Sequence, residues 1–263
     1  MQQETRERIK ERIRDKMNGI LNRRIRELNE DMQELYTRNP FGARLVPEMI
    51  WKGSKFERSF VTSFGQGVYE QIAYEIALET GALAQNQHTE IVTINTWQAD
   101  YIDDLLNRQR NNDRNNPLFP DWTAEINEGL NLRTNRVIDI PIRFDLYIQR
   151  TNGTEEYYSI KTVKPNLDQT EIAKRDMMRT TFAKENARTY FALPYNPAGE
   201  GTPYNWNVIN KIFNTTDDSA VLIGSDFWNT VGQNPNTYNE LLAIFDELGD
   251  EYHREIQRNY IDL

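Results

Sequence analysis

The fold is determined by residues 137–166, VIDIPIRFDLYIQRTNGTEEYYSIKTVKPN. An apolar residue occupies every second position from 138 to 148, which is the pattern of a strand buried on one face. The predicted buried face holds Ile138, Ile140, Ile142, Phe144, Leu146 and Ile148, and the opposite face holds Asp139, Arg143, Asp145 and Tyr147. TNGT at 151–154 is a hairpin-turn signal, so residues 155–163 are predicted to return as an antiparallel strand.

The length of the hairpin loop determines which residues of the two strands face each other. A two-residue loop would place Asp145 opposite Ile160, which pairs a polar face with an apolar one. A three-residue loop, with Gly153 in the left-handed conformation, places Asp145 opposite Ser159 instead. We predict the three-residue loop, with Asp145 and Lys161 on the same side of the sheet.

Asp145 and the strand segment Ser159-Ile160-Lys161 have the groups needed to cut a phosphodiester. Metal-assisted hydrolysis needs a carboxylate to hold the ion, further oxygen ligands, and a cation near the attacking water. We expect a metal on the Asp145 carboxylate and the main-chain carbonyl of Ile160, with Lys161 assisting the water or neutralising the charge that develops. The alternative is an ordinary inter-strand Asp–Lys pair, which contributes about 0.2–1 kcal/mol.

The rest of the chain predicts an α/β fold around this hairpin. Apolar residues at spacings of three and four predict one long helix over residues 3–36 and a second over 56–80, and HTEIVTI at 88–94 predicts a strand. The order of helices and strands predicts a mixed sheet flanked by helices, with a long N-terminal helical arm. We expect residues 1–46 to be this arm, used for docking or dimerisation, and residues 47–263 to be the main domain.

The composition excludes several kinds of site. The chain has no cysteine, which removes disulfides, thiolate catalysis and cysteine–zinc sites and fits a cytoplasmic protein. The two histidines, His88 and His253, are far apart in the sequence, so oxygen ligands and Mg²⁺ or Mn²⁺ are favoured. No apolar run approaches the roughly 18 residues of a membrane span, so no membrane partner is expected.

Two segments offer positive charge in a chain whose net charge is −9. In residues 161–188 basic side chains outnumber acidic ones, and Lys174 from this segment is a candidate DNA contact, although a solvated helix face explains the same charges. RQRNNDRNNP at 108–117 offers Arg108 and Arg110 for groove contacts, although a polar loop with no such role fits equally. Trp206 and Trp228 are predicted to be core residues.

Three segments resemble type II restriction endonucleases of the PD-(D/E)xK superfamily. They are KFERSFVTSFGQGVYEQIA, RFDLYI…YYSIKTVKPNLDQTEIAKRD and VLIGSDFWNTV…TYNELLAIFDELG, which together span roughly residues 47–249. Within that superfamily they are most similar to the Tde-type branch, associated with GGNCC-like palindromes. The resemblance implies a PD-(D/E)xK nuclease core and a Mg²⁺-dependent homodimer, with Mn²⁺ as a substitute. It also implies cleavage of double-stranded DNA that leaves 5′-phosphate ends, and a cognate DNA methyltransferase.

The resemblance assigns roles to individual residues. Asp145 matches the first acid of the motif and Lys161 its lysine. Glu70 matches a glutamate of the early helix that reaches the metal directly or through water, although a solvent-facing helix glutamate is the alternative. Gln169 matches a helix glutamine near the active-site phosphate, although ordinary polarity at a helix start explains it too. Lys164 is expected to contact a phosphate.

Ser159 departs from the motif, which has Asp or Glu at this position. A hydroxyl carries no charge and is a poor Mg²⁺ ligand. The second acid could come from the following helix, as Glu171 or Asp176, or from Glu70 on the early helix. A capping box with Asp168 at the start of the following helix explains Glu171 equally. Otherwise Ser159 is an inactivating substitution, or the site is degenerate.

Four functions therefore compete at this point. The favoured one is a type II site-specific deoxyribonuclease. The others are a catalytically impaired DNA-binding protein on the same fold, a repair nuclease without sequence preference, and a helical scaffold that binds no nucleic acid. The type II enzyme would give discrete DNA fragments, and the impaired protein would shift DNA in a gel without cutting it. The repair nuclease would give a smear, and the scaffold would show no salt-dependent DNA affinity.

Overall fold

The computed structural model describes residues 1–29, 37, 40–112, 118–216 and 218–261. These residues form two compact units: residues 1–75 with 239–263, and residues 76–238. The predicted division at residue 46 and the expected role of the N-terminal arm in docking or dimerisation stay predictions. None of the helices within the described ranges is long and apolar enough to cross a membrane.

The helices and strands follow one another in this order: α1 (Gln3–Asn29), α2 (Gly42–Leu45), α3 (Glu48–Ser63), α4 (Tyr69–Glu79), β1 (Leu83–Asn95), α5 (Thr96–Arg110), α6 (Trp122–Asn131), β2 (Val137–Gln149), β3 (Glu155–Ile160), α7 (Leu167–Ala183), β4 (Ala187–Leu193), β5 (Val221–Ile223), α8 (Ser225–Gly232) and α9 (Thr237–Ile256). π-Helical turns at Phe64–Val68 and Gln257–Ile261 follow α3 and α9, and a 3₁₀ turn at Ile209–Lys211 precedes β5.

The first unit is helical. The long helix predicted over 3–36 is present as α1, and the remainder of that prediction, residues 30–36, lies outside the described residues. Its apolar residues at spacings of three and four are buried: Ile9, Ile13, Met17, Ile20 and Leu21. The second predicted helix is present as α3 and α4, which the π-helical turn separates where Gly67 adopts a positive φ of 92°.

The second unit contains the predicted mixed sheet, in the order β1-β2-β3-β4-β5. β1, β2 and β3 pair antiparallel, whereas β3, β4 and β5 pair parallel. β3 and β4 need a crossover connection because they are parallel, and α7 supplies it. The hydrophobic cluster of the second unit, to which α7 contributes, includes Val92, Ile142, Phe144, Tyr157, Met177 and Phe191. Helix α6 was not predicted; it begins after Asp121, whose carboxylate accepts the main-chain N–H of Ala124 at 2.9 Å.

The hairpin between β2 and β3 has the predicted register. Leu146 pairs with Tyr158, and the main-chain N–H of Arg150 donates to Thr154 at 2.9 Å, which closes a three-residue loop. Gly153 has a φ of 85°, as the loop requires. In this register Asp145 comes opposite Ser159, so the prediction from loop length is confirmed.

A buried ion pair anchors the hairpin to α8. Arg150 binds the Glu156 carboxylate at 2.7 Å, and the side chains of both residues are less than a tenth exposed. The same guanidinium donates to the main-chain carbonyls of Thr230 and Val231, each at 3.0 Å. Because removal of one partner leaves a buried charge uncompensated, loss of either side chain is expected to cost about 3–5 kcal/mol. The strands that carry Asp145 and Ser159 therefore have a rigid base.

Helix α7 begins two residues earlier than the capping-box prediction requires. Its N-cap is Asn166, whose side-chain oxygen accepts the main-chain N–H of Gln169 at 2.8 Å. The prediction of Asp168 as N-cap, with Glu171 completing a capping box, is therefore wrong. Asn166 follows Pro165. Because a proline disfavours the helical conformation of the residue before it, the helix cannot extend further towards the N-terminus.

Candidate active site

Asp145, within β2, meets Lys161, which directly follows the last residue of β3. The Lys161 ammonium binds the Asp145 carboxylate at 2.7 Å, with 22% and 18% of the two side chains exposed. The contact depends on the three-residue hairpin loop, because that loop brings Asp145 opposite Ser159. Lys161 lies two residues beyond Ser159 along the same strand direction. A carboxylate and a cation are thus held together at a place that solvent reaches.

Asp145 lies at an interruption in the pairing of β1 with β2. Asn86 pairs with Leu146 and His88 with Phe144, but the pairing skips Gln87 and Asp145 between them. Gln87 has a φ of 52°, a conformation uncommon outside glycine. The register is the same on both sides of the interruption, so neither strand gains a residue there, and the distortion is local to Gln87 and Asp145.

The interruption corrects the predicted faces of β2. The strict alternation placed Tyr147 with Asp145, opposite Ile142 and Phe144. In the structure Tyr147 packs against the same hydrophobic cluster that contains Ile142 and Phe144. Tyr147 also stacks on His88, with ring centroids 4.5 Å apart. The two-residue period therefore changes phase at Asp145.

The oxygen atoms around this pair suit a divalent metal in kind but not in charge. Asp145 offers a carboxylate, Ile160 a main-chain carbonyl and Ser159 a hydroxyl, and hard cations prefer oxygen ligands. Ser159 is only 3% exposed and uncharged. Among the residues that the structure describes, no group of three or more His, Asp or Glu side chains is arranged to hold a metal ion. Ser159 therefore leaves a neutral hydroxyl at the position where the motif has its second acid.

The two candidate acids of α7 already have cationic partners. Glu171 binds Arg110 at 2.7 Å and Arg175 at 3.0 Å. Asp176 binds Arg179 at 3.2 Å. Burial raises the pKa of Asp176, although its contact with Arg179 and a hydrogen bond from the main chain of Arg143 act in the opposite direction. A role in replacing the missing acid stays a prediction for both residues.

Glu70 lies in the first turn of α4, within the first unit, whereas Asp145, Ser159 and Lys161 belong to the second. Its side chain is partly buried. The predicted contribution of Glu70 to metal binding stays a prediction.

Lys174 is not available for the DNA contact that the charge pattern predicted. Its side chain has no exposed surface, and its ammonium binds the Glu125 carboxylate at 2.5 Å and the main-chain carbonyl of Ile212 at 2.6 Å. Burial lowers the pKa of Lys174, which the Glu125 carboxylate opposes. Lys174 joins α7 to α6 as a core residue. Sequence reasoning failed here because a charged residue in an amphipathic helix is normally exposed.

The other predicted DNA contacts are on the surface. Gln169 and Lys164 are exposed, and Arg108 is half exposed beside Asp104, four residues earlier on α5. Arg110 binds both Asp168 and Glu171 at 2.7 Å, and so connects α5 to the start of α7. A DNA role for these four residues stays a prediction.

Two aromatic residues that the sequence did not single out for the site hold the segment after Lys161. The hydroxyl of Tyr204 donates to the main-chain carbonyl of Val163 at 2.7 Å, and the indole N–H of Trp206 donates to that of Pro165 at 2.9 Å. Trp206 was predicted to be a core residue and is only partly buried, unlike Trp228, which is 1% exposed. Each contact spans 41 residues of sequence, so no local pattern could have revealed it.

Comparison with known proteins identifies the family of this chain. The model of the family "Type II restriction endonuclease, HinfI" matches residues 5–249. Three curated relatives from Herpetosiphon aurantiacus are similar over most of their length. Type II restriction enzyme HgiCII is 31% identical over 228 residues, and type II restriction enzymes HgiEI and HgiBI are 30% and 31% identical over 235 residues. Each alignment covers 84% of this chain and 81% of the relative.

These similarities confirm the predicted family and the prediction of an enzyme. The family match spans both compact units, and the relatives are named for the same activity. Restriction enzymes act on double-stranded DNA and generally use divalent metal ions. The chain belongs to the HinfI family of type II restriction endonucleases, which are site-specific deoxyribonucleases.

Proposed function

We propose that this enzyme cleaves double-stranded DNA at a short palindrome in a Mg²⁺-dependent reaction that leaves 5′-phosphate ends. The observation that carries the proposal is the 2.7 Å contact between Asp145 and Lys161 at a partly exposed strand end, in a chain of a nuclease family. A GGNCC-like target, expected from the resemblance to the Tde-type branch, is part of the proposal. Mn²⁺ is expected to substitute for Mg²⁺.

In this proposal the metal ligands are the Asp145 carboxylate and the main-chain carbonyl of Ile160. A bound Mg²⁺ supplies Lewis acidity and lowers the pKa of a coordinated water. Lys161 then exchanges part of its contact with Asp145 for the phosphate, where its ammonium stabilises the negative charge that develops on the phosphorane oxygens. Ser159 donates or accepts one hydrogen bond in place of the charge that a carboxylate would add.

The DNA backbone is expected to lie along the segment that follows Lys161. Lys164 and Gln169 are exposed there, and a lysine binds phosphate as a point charge. Arg108 and Arg110 are proposed as further contacts from α5. Because each neutralised phosphate releases counterions, loss of Lys164 is expected to weaken binding to all sequences and to reduce its salt dependence.

A palindromic target implies a two-fold symmetric enzyme. Two copies of the chain related by a dyad present the same residues to each half-site, so both strands are cut in one encounter. We therefore propose a homodimer. A cognate DNA methyltransferase in the same system, acting in the cytoplasm, completes the proposal because the host DNA must be protected from the enzyme.

A second candidate function is a DNA-binding protein on the same fold with impaired catalysis. The observation that favours it is Ser159, a buried neutral hydroxyl at the position of the second acid of the motif. Such a protein would bind its site with or without Mg²⁺ and leave both strands intact.

Incubation with plasmid DNA in Mg²⁺, Mn²⁺ or Ca²⁺ distinguishes these candidates. Discrete fragments in Mg²⁺ that disappear in Lys161→Ala support the proposal, and Lys55→Ala on α3 is the control because Lys55 is also an exposed lysine. A smear would instead indicate a nuclease without sequence preference. Binding without cutting in every metal would support the impaired protein.

Glu70→Gln tests the remaining metal prediction. If Glu70 contributes to metal binding, the variant needs a higher Mg²⁺ concentration for half-maximal cleavage, while its DNA affinity in Ca²⁺ changes less. An unchanged Mg²⁺ dependence would remove Glu70 from the site.

A further inference from the structure

We infer that Tyr204 and Trp206 are positioning residues that hold the segment 161–166 so that Lys161 is correctly placed for cleavage and Lys164 for contact with the DNA backbone. The inference rests on the proposed function and adds two residues to it. It concerns the second unit only, and it follows from contacts between a loop and the irregular segment between β3 and α7.

The segment 161–166 has no helix or strand of its own to fix its backbone. It begins where the main-chain N–H of Lys161 donates to Ala192 of β4 at 2.9 Å. It ends at Asn166, the N-cap of α7. Between these ends the chain has to be held by other groups, because a free segment carrying a catalytic lysine would have many conformations to lose on binding DNA.

The two aromatic donors supply the missing contacts at alternate residues. Tyr204 binds the carbonyl of Val163 at 2.7 Å and Trp206 that of Pro165 at 2.9 Å. With the bond of Lys161 to β4, residues 161, 163 and 165 are each tied to a neighbouring element. Both distances lie in the normal range for well-formed hydrogen bonds.

Lys164 lies between the two bound carbonyls, and its side chain is held as well. Its ammonium is 5.8 Å from the centre of the Trp206 ring, within the range of a cation–π contact. The side chain is exposed, so its charge remains available to an anion. Trp206 thus contacts both the backbone and the cation of this segment.

The loop that carries the donors is anchored in the core. Tyr204 and Trp206 pack against the hydrophobic cluster, and Ile209, Ile212 and Phe213, which follow in sequence, are fully buried in it. Burial raises the pKa of the Tyr204 hydroxyl, so it remains a donor across the pH range in which a nuclease works. A rigid loop can transmit its position to the segment, as supporting residues do for catalytic groups.

The competing explanation is that these bonds only stabilise the fold. A neutral hydrogen bond contributes about 0.5–1.5 kcal/mol to stability wherever it lies. The chain offers matched controls in the same unit. Tyr101 donates its hydroxyl to the carbonyl of Glu125 and to the carboxylate of Glu128, each at 3.1 Å, and Trp228 donates its indole N–H to the carbonyl of Pro194 at 2.7 Å. These controls lose the same kind of bond away from the segment.

The test compares Tyr204→Phe with Tyr101→Phe and Trp206→Phe with Trp228→Phe in the full chain. Single-turnover cleavage in Mg²⁺, DNA affinity in Ca²⁺ and the thermal unfolding midpoint are measured for each. A misplacement of a catalytic group by about 1 Å costs on the order of 100-fold in rate, so we expect Tyr204→Phe and Trp206→Phe to cut about 10- to 100-fold more slowly than wild type. Tyr204→Phe should keep its DNA affinity and unfold near the midpoint of Tyr101→Phe.

The outcomes separate this inference from the function on which it rests. If Lys161→Ala abolishes cleavage while Tyr204→Phe and Trp206→Phe cut as fast as their controls, the positioning role is wrong and the proposed function stands. If Lys161→Ala cuts like wild type, or wild type cuts no DNA, the proposed function fails and the inference falls with it. Slow cutting that follows a lowered unfolding midpoint in all four variants would also overturn positioning, because stability alone would explain it.

Discussion

Two lysine–carboxylate pairs of the second unit have similar geometry and opposite surroundings. Lys161 binds Asp145 at 2.7 Å, with about a fifth of each side chain exposed. Lys174 binds Glu125 at 2.5 Å, with 0% and 9% of the side chains exposed. From sequence, Lys161 was predicted to act in catalysis and Lys174 to contact DNA. Only the first can exchange its partner for a phosphate or leave its carboxylate to a metal.

The difference shows that burial, and not the pair itself, determines what a lysine can do. The Lys174 ammonium also donates hydrogen bonds to the Gln109 side chain and to the carbonyl of Ile212, so all of its contacts lie inside the protein. Burial lowers the pKa of Lys174 and raises that of Glu125. Separating Lys174 from Glu125 would leave two buried charges without solvation. Opening the exposed pair is inexpensive, because solvent or an incoming ligand replaces the lost contact.

The largest expected effect is the loss of cleavage in Lys161→Ala. Removing a preorganised group that stabilises developing charge typically costs about 10²–10³-fold in rate. The free energy of unfolding should fall by about 1 kcal/mol or less, because the pair is partly exposed. Cleavage of a supercoiled plasmid and urea unfolding measure the two quantities. Equal rates for Lys161→Ala and Lys55→Ala would contradict the assignment.

Lys174→Met should lower stability strongly and leave DNA binding intact, in contrast to Lys161→Ala, which should mainly affect cleavage. We expect the free energy of unfolding to fall by about 3–5 kcal/mol, because Glu125 is left buried without its cation. DNA affinity per folded molecule should be unchanged. Urea unfolding and gel-shift titration measure these effects, and the double variant Lys174→Met/Glu125→Gln should recover part of the stability. A variant of normal stability with weakened DNA binding would restore Lys174 to the predicted DNA contacts.

Ser159→Asp should have a smaller effect on stability that depends on metal. A carboxylate at a 3% exposed position opposite Asp145 is expected to lower stability by about 1–3 kcal/mol in the presence of a chelator. Mg²⁺ should raise the unfolding midpoint of this variant more than that of wild type, because the second acid completes an anionic ligand set. No difference in the response to Mg²⁺ would place the metal elsewhere.

Cleavage by the Ser159 variants distinguishes the explanations of the departure from the motif. Faster cutting by Ser159→Asp or Ser159→Glu than by wild type would identify the serine as an inactivating substitution. Slower cutting would favour a working Ser-x-Lys arrangement with the second acid from another residue. Single-turnover rates at saturating Mg²⁺ provide the comparison.

The smallest expected effect is the pH dependence of stability that arises from the buried pair. The raised pKa of Glu125 makes the folded state bind more protons than the unfolded state, so stability falls as pH rises from the ordinary value, about 4.3, through the raised value. The lowered pKa of Lys174 has the opposite sign, so stability rises as pH increases from the lowered value to about 10.4. Urea unfolding of wild type against Lys174→Met/Glu125→Gln from pH 4 to 10 should show both trends. A constant difference between the two would contradict the shifts.

Much of the site could be predicted because its pattern is local. The alternation of residues 137–150 and the Gly153 turn predicted the hairpin, its register and the meeting of Asp145 with Lys161. A strand has a period of two and a hairpin loop has few allowed conformations, so neighbouring sequence is sufficient for such features. The same locality failed at Asp168, because Asn166 offers an equally good cap two residues earlier.

The sequence by itself determined the family, the mixed sheet and the acid–lysine pair of the candidate site. Tertiary structure alone decided that Lys174 is buried, that the strand changes phase at Asp145, and that Tyr204 and Trp206 hold the segment after Lys161. The physical reason is range. Strand period and turn geometry act over a few residues, whereas burial and hydrogen bonds between distant elements depend on which surfaces the whole chain brings together.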